Sequence, residues 1–220
     1  MKLQVLIILG LIGFSPQYSV AEEVKVAVVM AFYETLLQLK PLFEKETGHH
    51  LIIIADSAGA LFQKIKTDTT IDVFLSGDVS RPKELVNQGV GLPESFQVYA
   101  LGRLVLWTKL MEHLRLNERS LMEFKSLAVS DPENTPYGHA AREVLVGLNL
   151  WENLQPKIQM MKTTADAYQA ILSHQTEAGF ISLAQYLSSV DNLGTQYWMV
   201  PQYLHSPLNH GAVILRETSH

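Results

Sequence analysis

The chain has no cysteine, so neither a disulfide framework nor thiolate chemistry is available to it. It also lacks a basic excess: 17 Lys and Arg stand against 22 Asp and Glu in 220 residues, a formal net charge of −5. That balance excludes the clustered cations of a nucleic-acid footprint. Long apolar runs are missing as well. The mainly apolar stretch Leu3–Phe14 is twelve residues long, short of the ~20 needed to span a bilayer. It follows Met1 and Lys2 and precedes "SPQYSVA", with Ser19 and Ala21 at small-residue positions. This is the pattern of a secretory signal peptide over residues 1–21, with the mature chain starting near Glu22. Its removal takes Lys2 and no acid, leaving 16 basic and 22 acidic residues, net −6. A soluble exported protein is expected, without a lipid anchor.

The composition is 47% hydrophobic and 18% charged, which suits a globular protein with a proper core. There is no repeat of 20–50 residues and no low-complexity linker. "VKVAVVM" (24–30) reads as a strand and "FYETLLQLKPLFEKETG" (32–48) as a helix stopped by Gly48. Pro41 is expected to kink or split that helix. "HLIIIA" (50–55) is a second strand, 58–66 a second helix, and "IDVFLS" (71–76) a third strand. "RPKELVNQG" (81–89) is a helix with a proline near its start and a glycine at its end. "GRLVLWT" (102–108) and "KSLAVS" (125–130) are strands, and 136–151 and 164–172 are helices. "AGFISL" (178–183), "QYWMVP" (196–201) and "GAVIL" (211–215) are further strands. Strands alternating with helices predict an α/β fold with mostly parallel sheets. Two lobes joined by strand-like crossovers fit best, residues 22–101 with 201–220 forming one and 102–200 the other.

Several strand-to-helix turns carry small or hydroxyl residues. "ADSAGA" (55–60) offers Ser57, Ala58 and Gly59, "VVMAF" (28–32) offers Ala31, "DPENTPYGHAA" (131–141) leads onto a helix, and "MKTTADA" (161–167) adds two threonines. A helix start exposes unpaired N–H groups and roughly half a positive charge. Small residues let an anion approach that backbone. In open α/β sheets such turns converge at the carboxyl edge, where ligands bind.

In wording and order the chain resembles the periplasmic molybdate-binding proteins of ABC transporters, a branch of the type II periplasmic binding fold. The resemblance rests on "LFEKETGHHL" (42–51), "DSAGALFQKI" (56–65), "DVFLSGDVSRPKEL" (72–85), "LGRLVLWTK" (101–109), "LAVSDPENTPYGHAAREVL" (127–145) and "LWENLQPKI" (150–158). It implies molybdate or tungstate held in an interlobe cleft and passed to a membrane permease, in the periplasm, by a monomer with no cofactor and no enzymatic activity. Carried onto this sequence, it implies a ligand set of Ala31, Phe32, Ser57, Ala58, Tyr137 and Thr164, with no metal ligands beyond those touching the oxyanion. Ser182 stands where some relatives have tyrosine. The family's side-chain hydroxyl or amide groups match positions 31 and 58, which here are alanine. Each lost neutral hydrogen bond costs ~0.5–1.5 kcal/mol, and more where the anion's oxygen is left unpaired in a dry cleft, so two losses weaken affinity by ten- to several hundred-fold. Binding mainly through backbone N–H groups is expected. Asp56 beside the pocket repels a dianion. Family members usually continue past "AVIL" into a further helix, which this chain is expected to lack.

Other readings are open. A repurposed scaffold for another small solute is the alternative within the same fold. A hydrolase triad of Ser57, a histidine and Asp78 is conceivable, but "ADSAG" is not the G-x-S-x-G elbow. His205, His210 and His220 lack the spacing of a zinc site. Trp107, Trp151 and Trp198 read as core or interface residues.

Overall fold

A computed structural model describes residues 21–110, 115–188 and 196–216. The expected signal peptide, save Ala21, lies outside them, as do His113 and His220. Among the described residues, ten strands form two five-stranded sheets. The first contains β1 (Glu23–Val29), β2 (His50–Asp56), β3 (Val73–Leu75), β4 (Gln97–Leu101) and β10 (Asn209–Ile214), in the order β2-β1-β3-β10-β4. The second contains β5 (Leu104–Thr108), β6 (Leu127–Ser130), β7 (Ile158–Met161), β8 (Ala178–Ser182) and β9 (Tyr197–Met199), in the order β7-β6-β8-β5-β9. β1 pairs in parallel with β2 and β3, and β6 with β7 and β8. β10 and β5, the strands next to the crossovers, run antiparallel to both of their neighbours.

Helices cover the sheets: α1 (Met30–Thr47), α2 (Ala58–Ile65), α3 (Ser80–Asn87), α4 (Pro136–Gly147), α5 (Trp151–Leu154), α6 (Thr164–Leu172) and α7 (Leu183–Ser188). Every residue of β5, β6 and β8 is buried, as a strand with both faces covered requires. α1 ends at Gly48, whose φ of 77° is the left-handed stop expected from sequence. It is not split at Pro41. Pro41 and Leu37 lie on the exposed face, so water can take the Leu37 carbonyl that the proline ring leaves without a donor. The single strand expected over 102–108 starts later, at Leu104, and follows a separate edge strand, β4. The helix expected over 136–151 ends at Gly147, with a short turn of helix following.

Two crossovers join the sheets, β4 to β5 through Gly102 and Arg103, and β9 to β10 through residues 200–208. They run side by side. The Gly102 amide donates to the Leu208 carbonyl at 2.7 Å, the Val200 amide donates to that of Leu104, and Arg103 Nη1 donates to Gln202 Oε1 at 3.0 Å.

Candidate functional site

The carboxyl ends of the parallel strands in both sheets face one another. Four helices start there: α1 directly after β1, α2 after β2, α4 after β6 and α6 after β7. Between these starts lies a cavity of about 10 Å³, walled by Val29, Met30, Ala31, Ser57, Ala58, Gly77, Thr135, Pro136, Tyr137, Thr163 and Thr164. That volume holds about one water-sized group, so the walls stand close together and must part to admit a larger guest. Beside it, between α1, α6 and α7, opens a gap of about 400 Å³ whose wall includes Met30, Tyr33, Ala165, Tyr168 and Gln185.

Three of the four helix starts are capped by a side chain, so that some amides are used and others left free. The Ser57 hydroxyl accepts from the Ala60 amide at 3.2 Å. The Gly59 amide donates across to the Asn134 carbonyl at 3.1 Å. Thr135 accepts from Gly138, and its hydroxyl is bonded to the Asp131 carbonyl and to Ser130. Thr163 and Asp166 form a reciprocal capping box, the pairing their spacing predicts. Val29 offers α1 no side-chain cap. Among the described residues, nothing accepts from the amides of Ala31, Ala58, Tyr137 and Thr164. The Thr164 hydroxyl likewise has no partner among them. These donors carry the partial positive charge of four helix ends.

Among the described residues, the wall contains no Lys, Arg, Asp or Glu. The nearby carboxylate of Asp56 accepts from the Ser57 amide at 2.7 Å and is bridged by Lys162 Nζ, 3.3 Å from each oxygen. Lys162 follows β7, so this ion pair joins the two sheets at the rim and offsets the repulsion expected of Asp56. Exposed as it is, the pair contributes little to stability. Arg81 spans the sheets as well, holding Asp78 at 2.6 Å and donating to the Glu133 carbonyl at 3.0 Å.

Of the residues singled out from sequence, the structure brings Ala31, Ser57, Ala58, Tyr137 and Thr164 to one cavity. It does not bring Phe32 there. The Phe32 ring turns into the first sheet's packing, edge-on to Tyr99 with centroids 5.0 Å apart and 6.3 Å from His210. Ser182 is fully buried and bonded to Gln185, as the cap of a short helix. Sequence reasoning missed Gly77, whose "LSGD" turn after β3 has the small-residue signature of the other turns. It also missed Pro136 and Thr135. The triad partners do not assemble: Ser57 bonds a helix amide, Asp78 pairs with Arg81, and His210 bonds two tyrosines. Among the described residues no group of three or more His, Asp and Glu could hold a metal ion, and no helix is long and apolar enough to cross a membrane. Trp107 is fully buried and stacked on Tyr168.

The Tyr137 side chain leaves the cavity. Its hydroxyl lies 3.2 Å from His210 Nε2, and His210 Nδ1 lies 3.4 Å from the Tyr99 hydroxyl. Burial pushes His210 down to about 4, against a smaller opposing pull from Asp78, and pushes both tyrosines well above their ordinary value.

Comparison with known proteins gives a consistent picture. A model of the family described as bacterial extracellular solute-binding protein matches residues 24–220. The molybdate-binding protein ModA of Rhodobacter capsulatus is 34% identical over 89% of this chain and 77% of its own length. The protein of the same name from Azotobacter vinelandii is 33% identical over 94% of this chain and 81% of its own length. The solved structure of the Azotobacter vinelandii periplasmic molybdate-binding protein superposes with a TM-score of 0.82 at 31% identity, covering 90% of this chain and 87% of that one.

Two outcomes follow from this geometry. A Cβ on Gly59 would overlap Asn134 Oδ1, and Asn134 is held by its 2.6 Å bond to Asp131. Alanine gains about 1 kcal/mol over glycine in a helix, while overpacking costs about 1–3 kcal/mol. Gly59→Ala is therefore neutral to destabilising alone and stabilising by about 1 kcal/mol in an Asn134→Ala background, a coupling that urea unfolding of the double-mutant cycle measures. The second concerns pH. With the cavity walls closed as they are in this structure, His210 stays neutral down to about 4, whereas in the unfolded chain it takes up a proton near 6.5. Its contribution is complete above 6.5 and lost as pH falls toward 4, on the order of 3 kcal/mol at most. Unfolding midpoints of wild type and His210→Gln, measured from pH 7.5 to 4, converge on the acid side.

Proposed function

The chain belongs to the bacterial extracellular solute-binding protein family, and we propose that it is the substrate-binding component of an ABC-type importer, carrying molybdate or tungstate between two lobes. Such a protein is a transport component and not an enzyme, and it needs no cofactor. The lobes are assigned to residues 22–101 with 201–220 and to residues 102–200, which is where the strands divide between the two sheets. The protein acts as a periplasmic monomer, exported by the signal peptide of residues 1–21, and hands its cargo to a membrane permease.

One observation carries the reading: the unpartnered amides of Ala31, Ala58, Tyr137 and Thr164, from four helix starts on two sheets, meet at one cavity without a cationic side chain. A dianion there is met by dipoles and hydrogen bonds, not by a countercharge. The Ser57 and Thr164 hydroxyls add two side-chain donors to the amides. The gap between α1, α6 and α7 gives the anion its way in, and closure buries it. Selectivity follows from the wall. It offers donors and no carboxylate, so an oxyanion that keeps a proton at neutral pH finds no charged acceptor for it.

Calorimetric titration with molybdate, tungstate, sulfate and phosphate tests this. Molybdate and tungstate give saturable heat, and phosphate, protonated at neutral pH, binds much more weakly. Thr164→Val removes a hydroxyl at constant shape and weakens molybdate by about three- to ten-fold, one neutral hydrogen bond. Silence with millimolar molybdate and tungstate overturns the assignment.

A further inference from the structure

His210 sits where the two crossovers meet, only 2% exposed, at a bulge in β10. Its ring joins the two walls of the cavity through a continuous chain. On one side Nε2 meets the hydroxyl of Tyr137, the second residue of α4, a residue of the cavity wall. On the other side Nδ1 meets the hydroxyl of Tyr99, which in turn donates to the Ser76 carbonyl at 3.3 Å. Ser76 precedes Gly77, which lines the cavity from the first sheet, and the Ser76 amide donates to the Gly211 carbonyl at 2.8 Å. The first crossover is packed onto the same point: a Cβ on Gly102 would overlap the Tyr137 hydroxyl and come within 2.9 Å of His210 Nε2. The crossovers are the segments about which the sheets must turn, so the walls cannot part without disturbing this chain.

We propose that His210 is a positioning residue for the anion site: the Tyr137–His210 hydrogen bond forms as the walls close and fixes the first turn of α4, with its amides, against the Gly77 turn. The inference rests on the oxyanion-binding reading above. The proton inventory makes it specific. The Tyr99 hydroxyl is committed to Ser76, so Nδ1–H donates to the Tyr99 oxygen and Nε2 accepts from Tyr137. A protonated ring would present a donor to the Tyr137 hydroxyl, which has no second acceptor among the described residues. The groups facing the ring give little compensation. Tyr99 from β4 and Tyr137 from α4 are neutral, Phe32 from α1 is a hydrocarbon, and Asp78 after β3 is taken by Arg81 from α3. Closure therefore selects the neutral imidazole, while an opened hinge exposes it to water and lets it protonate at its ordinary value.

Ligand binding below that value must then release a proton, which a purely structural histidine would not do. The experiment is molybdate calorimetry on the exported chain at pH 7.5 and 5.5, in two buffers of unlike ionisation enthalpy. The expected result is no proton release at pH 7.5 and a substantial fraction of one proton at pH 5.5. Tyr137→Phe, which keeps the cavity amide and deletes the hydroxyl, lowers affinity about ten-fold at pH 7.5. His210→Gln abolishes the release, and if that variant does not fold, Tyr137→Phe and the wild-type release decide. Molybdate binding without release at pH 5.5, or unchanged affinity in Tyr137→Phe, overturns the inference and leaves the transport reading standing. No molybdate heat at either pH overturns that reading and this inference with it.

Discussion

Everything at this site depends on unsatisfied backbone amides. A helix cannot bond its own first N–H groups, and a parallel strand delivers its helix at the carboxyl edge of the sheet. Two such sheets, set edge to edge, place four helix starts around one point. Capping does not cancel the effect, because Ser57, Thr135 and Thr163 accept from the third or fourth amide of the turn and leave an earlier one free. Small side chains at Ala31 and Ala58 then keep the backbone approachable. The alanines that remove two side-chain donors thus serve the remaining mode of recognition.

That arrangement needs charges kept out of the wall but managed nearby. Asp56 ends β2 one residue from the cap of α2, a poor place for a carboxylate beside an anion. Its bridge to Lys162 and its bond from the Ser57 amide hold it outward at the rim. Arg81 is similarly occupied by Asp78 and by the Glu133 carbonyl. Both cations link the sheets without entering the cavity, so the field at the centre comes from backbone dipoles and hydroxyl groups.

The sequence was legible where a local pattern and a buried context agree. Strand-turn-helix units with small turn residues announced β1 to α2, and the threonines of "MKTTADA" announced the start of α6. The convergence of five of the six marked residues followed from that pattern combined with the family resemblance. What stayed hidden is of two kinds. β4 and β7 are edge strands with exposed positions, so neither a continuous apolar run nor a clean alternation marks them. Phe32 and His210 are tertiary facts: one residue of helix turns Phe32 from the cavity to the core, and His210 meets Tyr99 and Tyr137 across 111 and 73 positions of chain. No local signal distinguishes such a histidine from one in solvent.

The placement of β10 has a bearing on how the molecule assembles. This strand, formed by residues 209–214, is inserted between β3 and β4 in the middle of the first sheet. Until it arrives, β4 has no neighbour and β3 lacks one of its two. The amino-terminal half therefore cannot finish its sheet while the ribosome is still making the rest, and contacts of such large sequence separation form slowly. The strands on either side of β10 therefore stay incompletely paired while the whole second sheet, which lies between β4 and β10 along the chain, is synthesised.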